Sequence, residues 1–261
     1  VATQRSGGGN ARRSLDLLWR DTATARPEGR SPRGRKPKLT VAGIAAAAIA
    51  VADREGVEAM AMSRVAAELG VATMSLYTYV PGKAELIDLM VDTVMRERAL
   101  PGPDDPDLPA HWRARIELYA ARTLAVHRRH PWFGRVSTVR PPLGPGLMAE
   151  QEYLLSALSG IGLSARRMNA AASAIATFVE ADARARVESE NAEALTGQSE
   201  DAWWAAREHV WEEHFDMERF PTLTQVYIDM ESGEPPEGLD EENFGLHRML
   251  DGIQAMIDAQ G

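Results

Sequence analysis

Residues 63–86, SRVAAELGVATMSLYTYVPGKAEL, constrain this chain more than any other stretch. Val65, Ala66 and Leu69 recur at helical spacing, so residues 63–69 predict a short helix with one apolar side. Gly70 ends it, because glycine reaches the left-handed conformation that a C-terminal cap requires. Val71 and Ala72 pass through a turn, and the Thr73 hydroxyl is expected to cap a second helix over residues 73–80. Leu76 and Val80 point inward from that helix, while Thr73, Ser75, Tyr77, Thr78 and Tyr79 carry hydrogen-bonding groups on its remaining surface. Pro81-Gly82 stops it, and Lys83 opens a third helix.

Two short helices about a glycine-containing turn suit a helix-turn-helix, whose second helix lies in the major groove of double-stranded DNA. Threonine, serine and tyrosine reach phosphates or base edges without a long flexible stem. On these residues alone a small structural hairpin of helices fits equally well.

The charge distribution favours the DNA reading. The net charge of −9 looks wrong for a nucleic-acid partner until it is divided along the chain. Residues 1–40 carry +7, residues 41–100 carry −3, and residues 101–261 carry −13. A basic end that meets DNA and an acidic body that does not is the simplest interpretation. The chain has no cysteine, which excludes disulfides, thiolate zinc sites and cysteine nucleophiles. No apolar run approaches the roughly 20 residues of a membrane span. The polar N-terminus has no secretory pattern, so a cytoplasmic protein without membrane contact is expected.

Residues 1–38 are poor in apolar side chains and contain Gly7-Gly8-Gly9, Pro27, Pro32 and Pro37, so a basic disordered arm is expected. Residues 14–20 can form one or two amphipathic turns within it. Arg30, Arg33, Arg35, Lys36 and Lys38 crowd its end. Such an arm beside a major-groove reader can enter the adjacent minor groove, holding phosphates more than bases; a merely solvated tail is the alternative.

Residues 40–55 predict a helix with Ile44, Ala48, Val51 and Ala52 buried; Gly56 ends it, and Val57, Met60 and Met62 cover a small core. Residues 83–98 predict another, with Leu86, Ile87, Met90, Val91 and Val94 inward. Lys83 sits at its N-terminus, where the helix dipole also favours an anion. Residues 101–109, PGPDDPDLP, read as a stiff linker. Beyond it, helices are expected over 110–130, 147–160, 164–187 and 243–259, with an aromatic-rich helix and a short one between the last two. Residues 131–146 are expected to be a loop and 188–201 a polar, mobile one. His127 and His130 suit a helix C-terminus, where cations are favoured; no third ligand is placed, so no metal site is expected. The fold class is all-α. An N-terminal three-helix helix-turn-helix domain (39–100) precedes a larger C-terminal helical domain (110–261).

The runs LTVAGIAAAAIAVADREGVEAM, VAAELGV and MSLYTYVPGKAELIDLMVD, from Leu39 to about Arg98, resemble the DNA-binding domain of the TetR family of bacterial transcriptional repressors. The form of the last run is similar to the branch with the tetracycline-repressor type of C-terminal domain. The likeness is weaker beyond that, resting on the helical layout and on HRRHPW at 127–132. The resemblance implies that Tyr77 and Lys83 hold phosphates while Thr73, Met74, Ser75, Thr78 and Tyr79 face the groove. Two departures stand out. Ala61 occupies the usual Ser/Thr capping position, and Ser63 stands where arginine is common, so Ser63 or Arg64 replaces a backbone contact. The resemblance further implies a homodimer on a near-palindromic operator, released by a small-molecule effector in the C-terminal domain. Residues 164–187 and 243–259 are the candidate dimer helices. Trp112, Tyr119, Met148, Tyr153, Met168, Phe178, Trp203, Trp204 and Trp211 are candidate cavity walls, each of which suits core packing as well. A constitutive DNA binder without an effector is the alternative.

Catalysis is not indicated, and no cofactor is expected. His209 and His214 lack the i, i+4 spacing of a zinc-protease helix, and Gly82-Lys83 lacks the glycine-rich run of a phosphate-binding loop.

Overall fold

A computed structural model of the chain describes residues 4–20, 39–233, 238 and 240–259. They form thirteen α-helices and one 3-10 turn. The chain divides into two compact units, residues 1–187 and 188–261.

In the first unit, α2 (Val41–Glu55) begins at Thr40, whose hydroxyl accepts a hydrogen bond from Gly43 N–H at 3.0 Å. Its alanines bring the backbone close to its neighbours, and Ile44, Ala48 and Val51 are fully buried. Gly56, with φ of +84°, ends it. Next come α3 (Met62–Glu68), α4 (Thr73–Tyr77) and α5 (Lys83–Arg96). Gly70 between α3 and α4 takes φ of +66°, the conformation its position demands. Leu76 and Val80 are buried beneath α4 with Val57, Met60 and Val65, and Leu86, Met90, Val91 and Val94 close the same core from α5.

Two local expectations are corrected. Thr73 is the first residue of α4, not its cap; Ala72 holds the cap position with no side-chain bond. The helix also stops at Tyr77, because Pro81 disfavours helical backbone at Val80, and residues 78–80 turn instead. As expected, Ala61 caps α3 without a side-chain bond.

The largest correction concerns the N-terminus. Residues 4–20 form an ordered strap with its own helix, α1 (Ala11–Leu18), started by the Asn10 side chain. Arg5 bridges Ser137; Ser6 N–H donates to Ser137 O and Ser137 N–H to Gln4 O. Gly7 N–H and the Ser14 hydroxyl both donate to Asp88, at 2.7 and 3.0 Å, and Asn10 N–H donates to Glu85 at 3.0 Å. Glu85 and Asp88 are buried on α5, where a carboxylate persists only if donors reach it. Leu17 and Leu18 join the core. The glycine run serves close approach here: a Cβ on Gly9 would stand 2.6 Å from the Glu85 carboxylate, and Gly7 has φ of +69°. Residues 21–38, with the expected DNA contacts Arg35, Lys36 and Lys38, lie outside the described residues.

After α5 the chain turns through Ala99, whose φ is +46°. Arg122 holds that turn by donating to Arg98 O and Ala99 O, at 3.0 and 2.8 Å. α6 (Trp112–Arg129) follows, capped by the His111 ring, and Trp112, Ile116, Tyr119, Thr123 and Val126 are buried as the spacing predicted. Residues 131–146 are less irregular than expected: Pro131–Arg135 is a 3-10 turn, and Pro145 already opens α7 (Pro145–Ala157). Proline suits a first helical position, since its missing N–H needs no partner there. α7 has no cap of its own. Asp92 of α5 supplies one, accepting from Gly146 N–H at 2.7 Å. A Cβ on Gly146 would stand 2.6 Å from Asp92 O, so glycine sets how closely α7 crosses α5. α8 (Ala165–Glu190) buries Ala171, Ala172, Ile175, Val179 and Ala183.

The second unit holds α9 (Ala192–Thr196), α10 (Glu200–Ala205), α11 (His209–Glu213), α12 (Pro221–Ser232) and α13 (Phe244–Asp258). The stretch expected to be a mobile loop thus contains helices, α10 being capped by Ser199. The single aromatic helix expected is two short ones. Trp211 packs edge-on against Phe215 and Tyr227, at 5.2 and 5.3 Å between ring centres. Leu246, Leu250 and Ile253 of α13 are buried.

Candidate nucleic-acid interface and ligand cavity

The reading surface is built on α3 and α4. With Leu76 anchored in the core, Met74, Ser75, Tyr77 and Thr78 stand on the outer side of α4; Met74 is 75% exposed and Tyr77 43%. Ser63 is exposed on α3, and Thr73 and Lys83 are half-buried beside this surface. Tyr79 is half-buried and packs against the core, so only part of its ring remains at the surface. Arg64 is committed within the protein. It donates to both oxygens of Glu55 and to Glu68, and Arg54 also reaches Glu68 at 2.7 Å. The Arg64 hydrogen bonds and charge draw the Glu55 carboxyl below its ordinary range, against a lesser push from burial. At the start of α5, Gly82 gives no side-chain cap, and Lys83 is the first helical residue. A helix dipole and an ammonium group together suit a phosphate.

A cavity of about 890 Å³ lies in the same unit, between the 3-10 turn, α7 and α8. Its walls include Phe133, Val136, Leu147, Leu154 and Ala172, together with Met95 from the C-terminal turn of α5. Volume and lining suit a small organic molecule. Glu150, Glu180 and His127 also line it. The fully buried Arg98 guanidinium donates to both Glu150 and Glu180, and His127 Nε2 lies 2.9 Å from Glu180. Burial pushes the Glu150 carboxyl up. Burial acts the same way on Glu180, but Arg98 and His127 outweigh it and hold that carboxyl below its usual range. The Tyr119 ring lies 5.6 Å from the Arg98 guanidinium, and burial drives its hydroxyl well above its ordinary pKa.

The walls are not the aromatic side chains singled out by the sequence. Trp112, Tyr119 and Tyr153 are buried in helix packing, Met168 and Phe178 are half-buried on α8, and Met148, Trp203, Trp204 and Trp211 are exposed. None of the nine lines this cavity. Small and aliphatic residues of α7 and α8 leave the space, and nothing in their local spacing distinguishes a cavity wall from a core stripe. One signal was readable: Glu180 interrupts the apolar run of α8, where an acid needs a partner. His127 and His130 are both buried within hydrogen-bond reach of carboxylates, Glu180 and Asp53, so they sit in packed joints and not simply at a helix end. No cluster of three or more metal-ligating side chains occurs among the described residues. No helix among them is long and apolar enough to cross a membrane.

Comparison with known proteins adds to this geometry. Residues 44–90 match the model of bacterial regulatory proteins of the tetR family. Residues 105–257 match that of the tetracyclin repressor-like C-terminal domain. The chain is 40% identical to the HTH-type transcriptional repressor DrrR1 of Streptomyces coeruleorubidus, over 98% of this chain and 90% of that one. Among solved structures, apo ActR from Streptomyces coelicolor superposes with a TM-score of 0.68 at 24% identity, covering 87% of this chain and all of ActR. ActR in complex with actinorhodin gives 0.65 at 25% identity, covering 86% and 97%.

Proposed function

The chain belongs to the tetR family of bacterial transcriptional regulators, and from that premise we propose that it is a repressor released from operator DNA by a small molecule bound in its cavity. The observation that carries this reading is the course of α5. Lys83 begins the helix beside the reading surface, and Met95, near its other end, lines the cavity. Fourteen helical residues span about 21 Å as one stiff rod. A molecule that displaces Met95 therefore tilts the frame on which α4 sits. By linkage, that molecule must bind the DNA-free state more tightly than the DNA-bound one.

The relatives point the same way: one is named a repressor, and another is seen with a small molecule bound. Met74, Ser75, Tyr77 and Thr78 read the major groove, with Tyr77 and Lys83 on phosphates and the basic segment 21–38 adding charge. The protein acts as a homodimer, with half-sites one helical turn, about 34–36 Å, apart. Supporting self-association, the second unit exposes Leu223, Val226, Tyr227, Ile228 and Met230 of α12, an apolar face unusual on a monomer.

The test needs no identified effector. Ala172→Phe and Ala176→Trp place bulk in the cavity and should weaken binding to a duplex from the DNA flanking its own gene by about five- to 150-fold, the usual range of allosteric coupling. Ala174→Gln, on the exposed side of α8, should leave it unchanged. Equal affinity in all three would sink the coupling between cavity and reader.

A further inference from the structure

Resting on the reading of the cavity as an effector site, we infer that its ligand is an organic acid: a large apolar body bearing one carboxylate or similar anion, held by Arg135 and Arg184. Both arginines line the cavity, one from the 3-10 turn and one from α8. Both are exposed, and neither guanidinium has a hydrogen-bond or ion-pair partner among the described residues.

They belong to the same end of the cavity. The Arg184 stem crosses directly over Gly134, where a Cβ would stand 2.8 Å from Arg184 Cγ. Glycine at 134 therefore lets the Arg184 side chain lie across the turn that presents Arg135. Guanidinium forks with unused donors suit a planar anion, which one or both can hold through paired hydrogen bonds.

The other charges of the lining do not cancel this preference. Glu150 and Glu180 are the acids of the wall. Both already accept from Arg98, and Glu180 uses its second oxygen on His127. Arg98 thus offsets one of the two carboxylate charges from behind the wall, and with Arg135 and Arg184 the site keeps an excess of positive charge. The rest of the lining includes the apolar Leu147, Leu154, Leu155 and Val136, with Asn169 and Gln151 as neutral polar groups. An apolar body that brings its acid to the two arginines fits this lining.

The test uses two probes of nearly the same apolar body. One is 8-anilino-1-naphthalenesulfonate, an anion; the other is N-phenyl-1-naphthylamine, which is uncharged. Their fluorescence is titrated with the full-length protein, with Arg135→Gln/Arg184→Gln and with the cavity-filling Ala176→Trp. The anion should bind the parent at least about tenfold more tightly, the scale of one charge-assisted contact. That advantage should shrink with added salt and vanish in the double variant, whose affinity for the neutral probe stays unchanged. Replacement of both arginines by lysine should restore part of it. Equal affinity of the two probes for the parent, or an equal loss of both in the double variant, overturns the acid inference while leaving the cavity as a site. Binding of both probes that survives Ala176→Trp overturns the cavity reading as well.

Discussion

His130 Nδ1 lies 2.7 Å from Asp53 Oδ1, joining the end of α6 to α2 of the reading domain. The same Asp53 oxygen accepts from Trp132 Nε1 at 2.7 Å, and His130 Nε2 lies 3.0 Å from Glu97 just past α5. His130 is 2% exposed. One imidazole thus ties together the two helices that flank the reader and the segment that begins the cavity wall. His130→Ala removes the buried imidazole's hydrogen bonds to Asp53 and Glu97, carboxylates that water still reaches, and should cost about 1–3 kcal/mol. The midpoint of urea unfolding measures it; an unchanged midpoint would mean that the joint carries no stability.

Arg98 is the costliest side chain to truncate. It is fully buried between Glu150 and Glu180. Arg98→Met strands two carboxylates and should destabilise the protein by about 3–5 kcal/mol. Adding Glu150→Gln and Glu180→Gln to that variant should recover most of the loss, as seen in thermal unfolding. A loss equal in single and triple variants would assign the effect to packing and not to charge.

Asp88 and Asp92 both titrate above the ordinary carboxylate range, chiefly because burial disfavours the charged form. The folded protein therefore takes up these protons at higher pH than the unfolded chain does. Their contribution to stability rises as pH falls from neutral toward about 4, the ordinary aspartate value, and levels off below it. Glu180, held low, acts oppositely and loses its contribution only at more acid pH. Asp88→Asn should remove part of the rise between neutral pH and about 4, followed by urea midpoints across that range. An unaltered slope would contradict the assignment.

The reading domain has little positive charge of its own, since residues 41–100 carry −3. On the proposed function, the basic segment before it is expected to supply most of the attraction to DNA. Replacing Arg30, Arg33, Arg35, Lys36 and Lys38 by glutamine should weaken binding to all duplexes and flatten the salt dependence, as phosphate contacts do. Tyr77→Ala and Lys83→Ala should weaken all duplexes by similar factors, whereas Thr78→Ala should also alter base preference. Titrations at two salt concentrations separate these outcomes. An unchanged salt slope after Lys83→Ala would contradict its place on a phosphate.

The reader was legible because its signals are local. Gly70 and the spacing of Val65, Leu76 and Val80 act within a few residues, and the structure places each as expected, although α4 ends at Tyr77, before Pro81. The strap was not legible, because its partners are distant. Gly7 and Gly9 look like flexible linker until Asp88 and Glu85, some 75 to 81 positions away, are seen to bond this segment. The cavity among the 3-10 turn, α7 and α8 was not legible for a related reason. Large aromatic residues suggest walls, but the space arises where Ala172 and Ala176 on α8 face Leu147 and Leu154 on α7. A void follows from how two helices approach, which neither sequence alone encodes. That the Arg184 side chain lies against Gly134, the chain neighbour of Arg135, shows only in the fold.

The most direct test is fluorescence anisotropy of the purified protein on a duplex from the DNA flanking its own gene, against a scrambled duplex of equal length, each at two salt concentrations. The account predicts a preference of about 10³-fold or more for the native duplex, persisting at the higher salt. Equal binding to both duplexes, fading together as salt rises, would contradict sequence-specific regulation at that site.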